Sequence, residues 1–323
     1  MNGHGSHVAG IIGASDNRKG IVGVAPHSYL HIIRVGDERV VYKSNILMAL
    51  AECREVGAHV INMSFGTLDY SNITNGLLDD LYLNENIVLV SASGNRGDAN
   101  NEITYPSGYD SVISVSASNQ EYQIASFSSY NSQVSLSGPG VEIASLGASE
   151  GQDDFSYDLK SGTSMSSPHV AGVAALLKSI FPASSSQLIR KSMEYAADGL
   201  SACDHDLHYG HGHVNAFNSA RMLMDLIQSV EAGNTNDKTF AKPACHNVSI
   251  ELNADEYPDE IFWYVTNNLN MPIVHGGKTS GLRNFQIPEI TTSVSRREHE
   301  DGDNGENDFE CFTFVITDTY GDG

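Results

Sequence analysis

The sequence predicts an α/β protein with a mostly parallel sheet, followed by an antiparallel β-rich segment. Three observations carry this. Short, continuous apolar runs (HVINM, NIVLV, VISV) alternate with segments of helical period, as strands buried on both faces by crossover helices do. Later the runs become β-branched and aromatic (VSIEL, IFWYVTN, CFTFVIT), divided by Asp, Asn, Gly and Pro and without a long helix. The 323 residues are 40% hydrophobic with 30 Gly and 9 Pro, enough for a sizeable core and unlike a disordered composition.

Each element has its own signal. Residues 4–13 are small and helical in pattern, and HIIRV (31–35) reads as a buried strand. In 44–56, Ile46, Leu47, Ala49, Leu50 and Cys53 share a helical face, with Ser44 as N-cap. Strands are expected at 59–63, 86–90 and 112–115, and helices at 73–83, 164–180 and 186–197. Glu231–Lys242 (EAGNTNDKTFAK) is polar and has no hydrophobic period. The expected division is a domain at 1–228, a linker at 229–243 and an incomplete β-rich accessory domain at 244–323.

Asp and Glu number 40 against 18 Lys and Arg, a net charge of −22. From Val230 onward there are 17 acidic and 6 basic residues, a net of −11. Such a charge argues against binding nucleic acid by phosphate neutralisation and against a polybasic membrane contact. No apolar run approaches the roughly 18 residues of a membrane span. The four cysteines form no CxxC pair, so a thiolate zinc site is not expected. Cys53 reads as a buried free thiol. Cys245 and Cys311 bracket the tail and make the preferred disulfide, although three complete pairings stay open. The first residues read as the middle of a motif, so the chain is expected to be N-terminally incomplete.

Three segments carry chemistry. Ser164 stands between Gly162 and a helical run, where free N–H groups and the helix dipole favour an adjacent oxyanion. Alone, such a serine is usually an ordinary cap. His4, flanked by Gly3 and Gly5, is a base able to activate a hydroxyl; among 13 histidines it would alone be a capping or surface residue. Asn95, after NIVLV-Ser-Ala-Ser-Gly, could aim an amide N–H into the same cleft, or be a turn asparagine.

Together and in this order, the segments resemble the subtilisin-like serine proteases (subtilases). HGSHVAG is similar to their histidine motif, SASGN to the oxyanion-asparagine motif and GTSMSSPHVAG to the serine motif. The likeness continues through HVINMSFG, YPSGYDSVISVSA, ASFSSY, GPGVEI and HYGHGHVNA, covering residues 1 to 228. It implies a three-layer subtilisin-like fold and a secreted serine endopeptidase, monomeric and acting on proteins or peptides. Ser164 becomes the nucleophile, His4 the general base and Asn95 the oxyanion donor. Ser64, Phe65 and Gly66 match the strand that pairs with substrate, and Thr104 the far wall of the pocket. Phe65 and Thr104 favour a medium apolar substrate residue. The family's catalytic Asp precedes its histidine motif, whereas only Met1, Asn2 and Gly3 precede His4. A non-catalytic, peptide-binding or adhesive descendant is therefore the rival reading.

No cofactor is implied for the chemistry, but Ca²⁺ is implied as a structural ion. The segment 14–21 matches a calcium loop in length, with Asn17 as the candidate ligand. A metal at CDHDLHYGHGH (203–213) is a weaker reading than a turn. The acidic run 301–310 reads as a solvated loop and Arg96-Gly97-Asp98 as a coincidental tripeptide. Of three N-x-[ST] sites, Asn62 should be buried, while Asn72 and Asn247 could carry glycans after secretion.

Overall fold

A computed structural model describes residues 3–36, 41–97, 99, 101–148, 156–199 and 205–231, and the strand backbones 245–252, 261–266, 272–277, 281–288 and 313–318. The chain divides into two compact units, the first built mainly on residues up to Phe240 and the second from Ala241 onward.

The first unit is a parallel sheet covered by helices. Its strands β1 (Val60–Met63), β2 (Val88–Ala92), β3 (Val112–Ser118) and β4 (Val134–Pro139) lie side by side in chain order, each pair parallel. The helices are α1 (His4–Gly13), α2 (Lys43–Glu55), α3 (Asn72–Leu83), α4 (Thr163–Ile180), α5 (Ser186–Tyr195) and α6 (Ala216–Glu231). A hairpin of β5 (Ile143–Leu146) and β6 (Tyr157–Lys160) precedes α4.

The period-2 alternation of a strand splits the core between the two faces. Val88 and Val90 join Ile113, Val115, Leu136 and the α4 residues Val170, Ala174 and Leu177 on one face. Leu89 and Val112 join Ile46, Leu50, Leu78 and Leu81 of α2 and α3 on the other. That is the expected three-layer α/β arrangement, and it explains why NIVLV shows no polar alternation. Leu89→Ala and Ile113→Ala, one on each face, should each cost about 2–5 kcal/mol through lost transfer energy and a cavity. Urea denaturation would check this, and a loss below 1 kcal/mol at either site would mean that layer is not packed as described.

Two expectations fail. Residues 31–35 form no strand; Ile32 is 66% exposed, and the nearby pairing is one bridge between Gly36 and Val41. An apolar run becomes a strand only beside a ladder partner, and among the described residues none flanks it. Ser44 does not cap α2: Tyr42 does, without a side-chain bond. Cys53 is half-buried, its thiol pushed up by burial and then by Glu52. Cys203 and Cys311, the acidic run 301–310 and most of 229–243 lie outside the described residues, as does the Cys245 side chain.

The second unit contains antiparallel strands. β7 (Cys245–Leu252) pairs with β10 (Gly281–Pro288), and β8 (Ile261–Thr266) lies between β9 (Pro272–Gly277) and β11 (Thr313–Asp318).

Candidate active site

The site lies where strand ends meet the first turn of α4. Gly162 caps that helix at φ 155°, a backbone region open to glycine. Ser164 is then the second helical residue, two places beyond the cap, and its N–H has no partner within its own helix.

Pro168 explains a further tie. It lies inside α4, later than the first turn, where a missing N–H would cost least. Having no N–H, it leaves the carbonyl of Ser164 without its i+4 donor. The Ser64 hydroxyl fills the vacancy, donating to Ser164 O at 3.0 Å. The Ser164 hydroxyl in turn donates to Ser64 O at 3.2 Å. With Ser64's proton committed, the Ser167 hydroxyl (2.9 Å) and Asn62 Nδ2 (2.9 Å) must donate to Ser64 Oγ. This network fastens the strand end after β1 to the first turns of α4. It also leaves Asn62 half-buried with its amide engaged, where burial was expected.

Asn95 follows β2 and is fixed by its oxygen. Asn95 Oδ1 accepts from Thr163 N and from Thr163 Oγ1, both at 2.9 Å. Thr163 Oγ1 itself accepts from Gly94 N at 3.2 Å. With the oxygen taken twice, Nδ2 is the end left to face the cleft. Thr163, which sequence reading passed over, is thus what orients Asn95.

Phe65, Gly66, Ala92, Asn95, Thr104 and Ser164 line one cavity. Thr104 is buried and donates to Ser93 O at 2.9 Å. The structure therefore places Phe65, Gly66, Asn95, Thr104 and Ser164 around one opening, with Ser64 bonded to its rim. Arg96, also passed over, lines the same cavity.

His4 opens α1, which packs on α4 and on β5. Burial holds its imidazole below the usual range, and the charges of His7 and Lys160 add to this. All three favour the neutral form, the form that accepts a proton. His7 is fully buried, its Nε2 3.0 Å from Asp158 O, while Ser145 donates to His7 O at 2.7 Å. These contacts tie α1 to the β5–β6 hairpin.

In the segment 14–21 the candidate calcium ligand sits in a local turn. Asn17 Oδ1 accepts from the exposed Lys19 N at 3.0 Å, a turn within its own loop. Among the described residues no three His, Cys, Asp or Glu side chains gather as metal ligands, at 205–213 or elsewhere.

The profile of the subtilase family, peptidase S8, matches residues 1–212. Subtilisin DY of Bacillus licheniformis is 38% identical over 217 residues, spanning 66% of this chain and 76% of that protein. The minor extracellular protease Epr of Bacillus subtilis (strain 168) is 36% identical over 215 residues, 65% of this chain but 32% of Epr. In fold, the chain is similar to the psychrophilic subtilisin-like protease Apa1 from the Antarctic psychrotroph Pseudoalteromonas sp. AS-11. The TM-score is 0.62 at 23% identity, covering 75% of this chain and 85% of that one. No described helix is long and apolar enough to cross a membrane.

Proposed function

This chain belongs to the subtilase family of serine-type peptidases, and from that premise we propose that it is a secreted endopeptidase whose nucleophile is Ser164. The observation that carries the assignment is the cavity that Ser164 and Asn95 both line, with the Asn95 oxygen held by Thr163. An extended peptide lies along Ser64-Phe65-Gly66 as an added strand. Ser164 Oγ leaves its bond to Ser64 O, gives its proton to neutral His4 and attacks the scissile carbonyl. Asn95 Nδ2 and Ser164 N hold the resulting oxyanion. His4 then returns the proton to the leaving amine, and water, activated by the same imidazole, releases the acyl group. Secretion rests on likeness to Epr, an extracellular protease by name. Calcium, if bound, has no part in these steps.

A serine-directed aryl phosphonate tests the assignment: it should label the full chain once, at Ser164. The labelling rate should fall on the acid side with a midpoint below about 6.5, the usual imidazole value, because burial and neighbouring cations keep His4 neutral to lower pH. His169 is held low by burial in the same direction. For both, the unfolded chain binds more protons, so stability is full above about pH 6.5 and is lost as the pH falls further. A folded protein that takes no label at Ser164 rejects the peptidase in favour of a non-catalytic peptide binder.

A further inference from the structure

Resting on that reading, we infer that Arg96 makes the site select an acidic side chain at the substrate residue whose carbonyl is attacked. A carbonyl poised between Ser164 and Asn95 places its own side chain in the adjoining cavity. Phe65, Ala92 and Thr104 are apolar or hydroxyl-bearing, and Arg96 is the charged residue among those that line the cavity. Arg96 directly follows the oxyanion asparagine, and its backbone N–H donates to Ser129 Oγ at 3.1 Å. That bond fixes the point from which its side chain leaves the chain.

The guanidinium is not silenced by its neighbour. Its Nη1 stands 3.7 Å from Glu102 Oε2, and the two side chains are 50% and 45% exposed. Such a pair lies beyond hydrogen-bond length and is worth little in water. The donors of the planar fork therefore stay available to an entering carboxylate, which they can engage bidentately. The chain's net charge of −22 opposes an acidic ligand at long range. At physiological ionic strength that repulsion is screened beyond about 8 Å, so the close contact decides. This replaces the medium apolar preference that Phe65 and Thr104 suggest by themselves.

The test uses matched peptides differing only in Glu, Gln or Leu at the selected residue. Their affinities for the Ser164→Ala protein, which cannot turn them over, are measured by calorimetry. The corresponding phosphonates are timed on the unaltered chain. Glu should bind and label roughly fivefold better than Gln, the upper end for a partly exposed ion pair. The ratio should fall towards one in Arg96→Gln and in 1 M salt, invert in Arg96→Glu, and rise in Glu102→Gln. A Glu-to-Gln ratio of one or less in calorimetry, or a ratio that Arg96→Gln leaves unchanged, overturns the inference. Failure of every phosphonate to label overturns the peptidase reading instead, and the calorimetric ratio still decides the role of Arg96.

Discussion

Replacing Ser164 with alanine should end peptide hydrolysis, and the size of the fall should report how His4 is oriented. In subtilisin, loss of the serine costs about 2 × 10⁶ in kcat, as much as loss of the whole triad, whereas loss of the aspartate alone costs about 3 × 10⁴. A carboxylate engaged on His4 therefore gives Ser164→Ala a fall of about 10⁶, and an unoriented imidazole leaves only about 10² to lose. Burial, His7 and Lys160 each lower the imidazole pKa of His4. All three favour the neutral ring, so the imidazolium formed after proton transfer needs a carboxylate to stabilise it. Steady-state kinetics of both proteins on one peptide anilide give the number. The variant should fold normally, because the Ser164 backbone oxygen keeps its bond from Ser64. Unchanged turnover in the variant would remove Ser164 from the chemistry.

Part of this is legible in the amino-acid sequence. NIVLV and VISV announced central strands because residues buried on both faces need no polar alternation, and Val88, Leu89, Val90 and Ile113 are buried as that requires. HIIRV is likewise rich in β-branched residues yet makes no strand, since pairing depends on a neighbour that composition does not encode. At the site, the residue types of Asn95 and Ser164 carried their own signal. Thr163 did not, because its effect lies in two hydrogen bonds across 68 residues of chain. Pro168 carries no such signal in the sequence; only the placement of Ser64 shows that the carbonyl it frees is put to use. Arg96 read as part of a chance tripeptide, and it matters because the cavity wall includes it.

Asn95→Ala should lower kcat by about 10²–10³ while leaving KM nearly unchanged. That range is the one found for removing a single oxyanion donor from subtilisin. The reason lies in timing: a donor aimed at charge that develops during attack binds the transition state more strongly than the ground state. Asn95→Asp separates electrostatics from scaffolding. The carboxylate keeps acceptors for Thr163 N and Thr163 Oγ1, but sets a negative charge where the oxyanion forms. Its kcat should fall at least as far as that of the alanine variant. Thr163→Val removes one of the two bonds to Asn95 Oδ1 and spares the backbone one, so a milder fall of about tenfold is expected, the loss of about 1.4 kcal/mol of orientation. Gly94→Ala should also be harmful: φ is 114° there, and a Cβ would lie 2.9 Å from Ser129 Oγ. Urea midpoints measured beside the kinetics show whether each variant remains folded. If Asn95→Ala and Asn95→Asp both fold and turn over within threefold of the unaltered protein, Asn95 is a turn residue and the oxyanion is held elsewhere.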